Sequence, residues 1–325
     1  MLDLAGLSTP VIALVLAVAL AVLVGGAKVF TTAAERVGLS LGMSPFAVGI
    51  FIVAIGTSLP ELVASTLASV NGTSEVVSGN VLGSNTALLL LVLGLVAAVS
   101  KKGIDLGESY IAIDLNFLIG AAALLALVMV DGHVGRLESV VLLLCYTAYT
   151  GYLLTDGRSA SADEAFDAAM PVAKAKGVRA ADIGMLLLAG VLIFVGADTA
   201  LDTLLIVAER AGMSPALASL TILSLGTTLP ETAVSITAAF RGRAEMAVGN
   251  ILGSCIFNSF VVVGVAAAVS PVLVPPELMR LPLPCFLGAT LLFYLLTNDR
   301  KVSRWEGMLF VACYLLLVAE LAGLA

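Results

Sequence analysis

Long apolar runs separated by short polar loops dominate the chain. A run of about 20 residues is enough for a helix to cross the hydrocarbon core of a bilayer. Ten runs approach or exceed that length, at about 10–34, 45–70, 76–99, 110–130, 137–155, 183–208, 215–240, 246–270, 281–297 and 305–323. The pattern predicts an all-α polytopic membrane protein with ten transmembrane helices.

The second five spans repeat the first five at an offset of 170 residues. Three motifs recur at that offset: GMSP at 42–45 and 212–215, GT[ST]LPE at 56–61 and 226–231, and GNxLGS at 79–84 and 249–254. Because each repeat has an odd number of spans, the second copy must enter the membrane upside down. The sequence therefore predicts two inverted five-helix repeats, 1–155 and 183–325, joined by a linker loop at 156–182. Such repeats are typical of secondary transporters.

The GT[ST]LPE motif places one carboxylate of each repeat, Glu61 and Glu231, deep in an apolar span. An intramembrane carboxylate is costly unless it lines a cavity or finds a partner, so it indicates function. The preceding proline donates no backbone hydrogen bond and leaves a carbonyl free one turn earlier. We therefore expect helices 2 and 7 to be broken and to present carbonyl, hydroxyl and carboxylate oxygens, the ligands that hard cations prefer.

A polar stripe follows in the third and eighth spans, at positions i, i+4 and i+8 of one helix face. It consists of Asn80, Ser84 and Leu88 in the third span and Asn250, Ser254 and Asn258 in the eighth. The repeats are unequal here, because leucine has no oxygen to offer a cation. Asn85 lies about 100° around the helix from Ser84, which makes it a poor replacement.

Composition excludes several other functions. Hydrophobic residues make up 60% of the 325 residues and charged residues only 12%, and no basic patch suggests a nucleic acid partner. The four cysteines lie unpaired in apolar runs, and the single histidine, His133, lies in a loop. The sequence contains no convincing nucleophile–base pair or aspartate dyad, so an enzyme is the weakest hypothesis. We expect no cofactor, and no obligatory protein partner is evident.

Loop charges orient the bundle through the positive-inside rule. With the N-terminus outside, the inside loops hold twelve basic residues: Arg36, Lys101, Lys102, Arg158, Lys174, Lys176, Arg179, Arg241, Arg243, Arg300, Lys301 and Arg304. The outside loops hold three, Arg136, Arg210 and Arg280. The excess predicts a multi-pass protein of the cytoplasmic membrane whose termini both face outside.

The paired GT[ST]LPE and GNxLGS motifs resemble the α-repeats of the sodium/calcium exchanger superfamily of Ca²⁺:cation antiporters, and above all its compact prokaryotic members. The similarity covers both repeats. It implies exchange of Ca²⁺ for Na⁺ by alternating access, with the ions and the bilayer as partners. Proton-coupled members typically carry GNxxE in place of GT[ST]LPE, which favours the sodium-coupled branch.

The resemblance also implies a ligand set. Glu61 and Glu231 would be the central ligands, shared between Ca²⁺ and Na⁺. Oxygens flanking them would come from matched positions of the two repeats, namely Ala54, Thr57, Ser58, Ser84, Ser224, Thr227, Thr228 and Ser254, with Asn258 at the family's further polar position. Leu88 departs from that pattern in the first repeat.

Charge supports the same chemistry. Two carboxylates carry −2, which matches one Ca²⁺ or two Na⁺. An empty pair of ionised glutamates is costly in a low dielectric, so the unloaded site should resist changing sides, which enforces antiport. The alternatives are a Ca²⁺/H⁺ or other cation/proton antiporter that uses the same glutamates and, less favoured, a cation channel.

Overall fold

The computed structural model describes residues 8–43, 45–100, 103–106, 114–155, 178–210, 224–297 and 299–321. The helices are α1 (Thr9–Ser40), α2 (Pro45–Val70), α3 (Glu75–Val99), α4 (Asp114–Met129), α5 (Arg136–Thr155), α6 (Ala180–Arg210), α7 (Ser224–Thr227), α8 (Leu229–Phe240), α9 (Ala244–Val269), α10 (Pro276–Leu296, with a turn at Leu281) and α11 (Arg304–Leu321). The chain is therefore mostly helical, as its apolar runs predict.

Six helices within the described residues are long and apolar enough to cross a membrane. They are α1, α2, α3, α9, α10 and the Ala180–Leu204 part of α6, and α4 adds a shorter apolar helix at Leu115–Met129. The remaining predicted spans correspond to α5, α8 and α11. Part of the predicted seventh span and most of the linker loop lie outside the described residues.

The two central helices are α3 and α9. In their most apolar 18-residue stretches 78% and 83% of the residues are buried, against 28% in α1 and in α6. The side chains around α3 and α9 form the protein core, whereas α1 and α6 lie at its edge. This arrangement puts the predicted polar stripe at the centre of the molecule.

The first GTSLPE copy does not break its helix. The chain stays helical through α2 with Pro60 inside it, and a π-helical turn at Gly49–Val53 precedes the motif. The predicted break in helix 2 is therefore wrong, because proline removes one hydrogen bond but its fixed φ suits a helix. The second copy is interrupted at Thr228, which has φ −93° and ψ 6° and separates α7 from α8.

Glycines bring α2 and α9 into backbone contact. A side chain on Gly49 would collide with the carbonyl of Met246, and one on Gly249 with the carbonyl of Phe46. A Cβ on Gly253 would lie 2.7 Å from that of Ala54. Small residues four apart allow membrane helices to approach this closely. The close approach sets the GTSLPE motif of α2 against the GNILGS motif of α9.

The helices α1 and α6 cross through matched glycines. A Cβ on Gly26 would lie 3.2 Å from the backbone nitrogen of Ile193, and one on Gly196 would lie 2.8 Å from that of Leu23. Subtracting 170 from 193 gives 23, and from 196 gives 26, so the two contacts are the same contact made from each repeat. The pair therefore packs through matched glycines, and on the Gly26 side a Cβ would also lie 3.2 Å from Ile193 Cγ1.

Two short strand pairs join the loops, which the sequence did not predict. Ile104–Asp105 pairs antiparallel with Lys301–Val302, and His133–Val134 pairs with Val272–Leu273. Each pair connects one loop from each half of the chain. The loops at each end of the bundle are thereby tied together without adding a sheet.

Candidate functional site

The two motif glutamates lie buried at the centre of the molecule. Glu61 in α2 is 4% exposed and Glu231 in α8 is 1% exposed. The Ser58 hydroxyl donates to Glu231 Oε1 at 3.1 Å and lies 3.0 Å from the Ser254 hydroxyl. In each glutamate Oε2 is buried without a hydrogen-bond partner among the described residues.

Two carboxylates with neither an ion-pair partner nor full hydrogen bonding in the described part of the chain are unusual. The described ion pairs lie at the bundle ends and do not involve Glu61 or Glu231. Removing a carboxylate from water costs several kcal/mol unless a charge or hydrogen bonds compensate it. The arrangement therefore fits a cation as the missing partner.

The second repeat closes one side of this pair. Asn250 Nδ2 donates to Ser235 Oγ at 2.8 Å and to the Glu231 carbonyl at 3.4 Å. Thr57 Oγ1 donates to Asn250 Oδ1 at 3.3 Å, and it also lies 3.1 Å from the Val53 carbonyl and 3.3 Å from that of Ala54. These bonds fix the fully buried Asn250 amide.

The first repeat leaves its side open. Asn80, the match of Asn250, is half-buried. It lines a cavity of about 180 Å³ together with Glu61, Thr227 and Asp198, and also a larger cavity of about 490 Å³. Glu61 thus borders a cavity at the α2–α6 boundary.

The predicted ligands differ in how closely the structure brings them together. Thr57, Ser58, Glu231 and Ser254 belong to one hydrogen-bonded cluster with Asn250, and Glu61 is buried without a bond to it among those that the structure describes. Ser84 Oγ lies 3.3 Å from Thr227 Oγ1. Thr228 is buried at the interruption between α7 and α8. The side chain of Ser224 lies outside what the structure describes.

An amide pair extends the cluster, although the helix-face argument excluded one of its members, Asn85. Asn258 Nδ2 donates to Asn85 Oδ1 at 3.2 Å. Asn85 Nδ2 in turn donates to Ser259 Oγ at 3.0 Å and to the Cys255 carbonyl at 3.3 Å. Leu88, by contrast, is fully buried among apolar side chains. Asn85 therefore faces α9 although it lies off the i, i+4 stripe.

The donor set determines the chemistry. The described polar groups around Glu61 and Glu231 are mainly carboxylate, hydroxyl, amide and carbonyl oxygens, together with the amide nitrogens and the Cys255 thiol. Within the described ranges no group of three or more His, Cys, Asp and Glu residues could hold a metal ion. Such a mixed oxygen site suits hard cations that it binds weakly and releases in turn. It suits a permanently held transition metal less well.

Known proteins resemble this chain in sequence and in fold. A family model described as sodium/calcium exchanger protein matches residues 11–155 and 181–321. An uncharacterized membrane protein of Methanocaldococcus jannaschii is 31% identical over 91% of this chain and 93% of its own. The sodium/calcium exchanger MaX1 of Methanosarcina acetivorans is 28% identical over 95% of this chain and 97% of its own.

The solved structures agree with the sequence relatives. The sodium-calcium exchanger NCX_Mj, soaked with 2.5 mM Na⁺ and 1 mM Sr²⁺, superimposes with a TM-score of 0.81 at 26% identity. The alignment covers 96% of this chain and 99% of that one. The protein is thus a cation antiporter of the membrane, and the chain belongs to the sodium/calcium exchanger family.

Proposed function

We propose that this antiporter exchanges Ca²⁺ for Na⁺ at the Glu61–Glu231 pair. The observation that carries the proposal is the pair itself, since each buried carboxylate keeps one oxygen without a partner among the described residues. A charge of −2 is neutralised equally by one Ca²⁺ or two Na⁺. One site can therefore take either load but not both.

Exchange follows from the cost of leaving the site empty. Moving a pair of unneutralised carboxylates through a closed, dry intermediate is unfavourable, whereas either loaded state is neutral. Only loaded transporters should then change the side to which the site opens. This coupling prevents a leak and makes the efflux of one ion depend on the influx of the other.

We assign the ligands by their place in the cluster. Glu61 and Glu231 bind Ca²⁺ and Na⁺ in turn, while the hydroxyls of Ser58, Ser84 and Ser254 supply neutral oxygens. Further oxygens come from the matched positions around the motif, namely the hydroxyls of Thr57, Thr227 and Thr228, the carbonyls of Ala54 and Ser224, and the amide of Asn258. Neutral donors let the site release its ion, because affinity for Ca²⁺ rises with the number of charged ligands.

Names of relatives support sodium as the coupled ion. MaX1 is called a sodium/calcium exchanger and NCX_Mj a sodium-calcium exchanger, and each aligns with more than nine-tenths of this chain. A relative from Alkalimonas amylolytica, 29% identical, is called only a putative antiporter. Coupling to protons is therefore the alternative that an experiment has to separate from coupling to sodium.

We further propose ten spans in two inverted repeats, 1–155 and 183–325, around a linker at 156–182. Reciprocal contacts support the inversion. The α1–α6 crossing uses Gly26 and Gly196 alike. Asn85 and Cys255, which match at the offset of 170, also bond to each other in both directions across the α3–α9 contact.

Two ion pairs support a common sidedness for the loops. Arg243, assigned to the inside, pairs with Glu35 at 2.5 Å, and Arg36 lies 3.7 Å from Asp182. All four residues belong to ends that the charge rule assigns to the cytoplasm. We propose that the protein lies in the cytoplasmic membrane with both termini outside. The cavities at Glu61 then open outward.

Transport of ⁴⁵Ca²⁺ into proteoliposomes tests the proposal. Vesicles loaded with Na⁺ should accumulate ⁴⁵Ca²⁺ when diluted into Na⁺-free medium, and external Na⁺ should reverse the flux. A pH gradient alone should drive no uptake. Uptake that follows the pH gradient and ignores Na⁺ would identify a Ca²⁺/H⁺ antiporter, and uptake that needs only a clamped membrane potential would identify a channel.

A further inference from the structure

A buried asparagine that belongs to neither stripe lies in the polar centre. Asn85 in α3 is fully buried and bonds to three groups of α9, namely the amide of Asn258, the hydroxyl of Ser259 and the carbonyl of Cys255. Its match in the second repeat is a cysteine, so the contact is asymmetric in chemistry. Asn85 has no part in the ligand set assigned above.

These bonds determine which way the Asn85 amide points. A backbone carbonyl can only accept a hydrogen bond, so the group that faces the Cys255 carbonyl at 3.3 Å must be Nδ2. The other end of the amide, Oδ1, then faces α9 at Asn258. Asn85 therefore offers Asn258 an acceptor and no donor.

The orientation of Asn258 follows from that of Asn85. Facing an acceptor at 3.2 Å, the Asn258 amide must present Nδ2 to it, which turns its own Oδ1 away. That Oδ1 is buried and has no hydrogen-bond partner among the described residues. It shares a helix face with Ser254, one turn earlier, whose hydroxyl lies 3.0 Å from that of Ser58.

We propose that Asn85 is a positioning residue that fixes the Asn258 amide so that its carbonyl oxygen serves the transported cation. If the amide turned over, its NH₂ group would take that place, and a cation gains nothing from a donor. This role rests on the proposed exchange of Ca²⁺ and Na⁺ at the neighbouring glutamates. It gives the first repeat, which lacks an amide at Leu88, a different way to contribute at that position.

The competing explanation is that Asn85 only holds α3 to α9. Interhelical hydrogen bonds of this kind stabilise membrane bundles whether or not they concern a ligand. Removing such a bond lowers the unfolding temperature and leaves ion affinity unchanged. Removing a positioning bond lowers ion affinity, and it does so only while the Asn258 amide is present.

A double-mutant cycle in proteoliposomes separates these explanations. We expect Asn85→Ala to raise the half-saturating Ca²⁺ concentration about tenfold, the lower end of the effect of losing a partner that orients a metal ligand. The maximal rate should stay within about twofold, since the carboxylates are untouched. Asn258→Ala should raise the half-saturating Ca²⁺ concentration at least as much as Asn85→Ala does. The double variant should raise it no further than Asn258→Ala alone.

Ser259→Ala is the matched control. It removes one hydrogen bond of the Asn85 amide but leaves the Cys255 carbonyl and the Asn258 amide in place, so the half-saturating Ca²⁺ concentration should not change. If Asn85→Ala fails to fold, Asn85→Ser carries the same expectation, because its hydroxyl is too short to reach the Asn258 amide. Unfolding temperatures in detergent are measured for every variant.

Two results would overturn the positioning role. One is an unchanged half-saturating Ca²⁺ concentration in a folded Asn85 variant, and the other is independent, additive effects of Asn85→Ala and Asn258→Ala. The proposed exchange is judged separately by Glu61→Gln and Glu231→Gln. If those variants lose transport while Asn85→Ala does not change affinity, only the positioning role fails.

Discussion

The two copies of the GT[ST]LPE motif share their carboxylate and differ in the burial of the matched asparagine near it. Asn250 is fully buried and bonds to Ser235, Thr57 and the Glu231 carbonyl. Its match Asn80 is half-buried and lines both cavities near Glu61. A duplicated sequence has therefore produced one closed and one open half. In an alternating-access transporter this is the difference between the two faces of the membrane in one state.

The surroundings of the edge helices differ in the same sense. Lys28 of α1 and Asp198 of α6 match at the offset of 170, and Asp198 lines the open cavity. Near the closed face, Arg243 of the α8–α9 turn pairs with Glu35 of α1, and Arg241 donates to Thr32 of α1. An acid at the open cavity favours entry of cations, whereas the ion pair holds α1 against the closed face.

The largest effect should come from the feature that the two copies share. Glu61→Gln and Glu231→Gln each remove half of the charge that neutralises the load, and no water can replace it in a closed site. Losing one member of a buried charge interaction costs about 3–5 kcal/mol, so ⁴⁵Ca²⁺ exchange should fall by roughly 100-fold or more. Unchanged elution from a sizing column serves as the folding control. Substantial exchange in either variant would remove the pair from the centre of the mechanism.

The second-largest effect should be a difference in how readily a thiol reagent reaches the two halves. Ala64 on the open side and its match Val234 on the closed side form a pair for cysteine labelling in a variant without native cysteines. In the purified protein in detergent, where a thiol reagent reaches both faces, Ala64→Cys should be labelled at least about tenfold faster, because an alternative state is commonly populated to 10% or less. Equal rates would mean that the observed asymmetry is not that of the resting transporter. Faster labelling of Val234→Cys would mean that the second repeat holds the open half.

A smaller effect is expected from the ion pair at the closed face. Glu35 and Arg243 are 23% and 41% exposed, and exposed ion pairs contribute 0.2–1 kcal/mol. Glu35→Gln should therefore raise the labelling rate of Val234→Cys by about fivefold at most. Glu277→Gln, on a helix end near the open cavity, is the control and should leave that rate unchanged. An unchanged labelling rate in the Glu35→Gln variant would show that the ion pair does not stabilise the closed face.

The smallest expected effect concerns Leu88. Because leucine removes an oxygen donor, we expect about two Na⁺ to exchange for one Ca²⁺, with little net charge moved. Reversal potentials measured against both gradients test this, since a charge crossing the membrane is worth about 2.3 kcal/mol per 100 mV. Leu88→Asn should raise the Hill coefficient for Na⁺ from about two toward three, given one added ligand oxygen. A wild-type reversal potential that fits three Na⁺ per Ca²⁺ would contradict this interpretation.

Much of this molecule was predictable from its sequence, because membrane helices and motif repeats depend on local pattern. Length and apolarity predicted the helices, and the offset of 170 residues identified Glu61 and Glu231 as a pair. The break that Pro60 predicts in helix 2 is wrong, since the chain stays helical around it. The irregular turn lies upstream at Gly49–Val53. That turn depends on the close packing of Gly49 against α9, which one helix cannot reveal.

The role of Asn85 was hidden for a similar reason. A helix face read at i and i+4 assumes a single partner surface, but α3 is buried nearly all round. Residues outside the stripe therefore still face other polar groups. A clue was available in the sequence, since Asn85, a second amide in α3, lies within one turn of Leu88, the stripe position that lacks one.

Equilibrium binding of ⁴⁵Ca²⁺ to the purified protein tests the central claim most directly, because it does not depend on transport. A single Ca²⁺ should bind per chain, and Na⁺ should displace it while choline at equal ionic strength does not. Glu61→Gln and Glu231→Gln should each abolish the Na⁺-sensitive binding. Retention of bound Ca²⁺ at Na⁺ concentrations that drive exchange would contradict the claim that both ions compete for one pair of carboxylates.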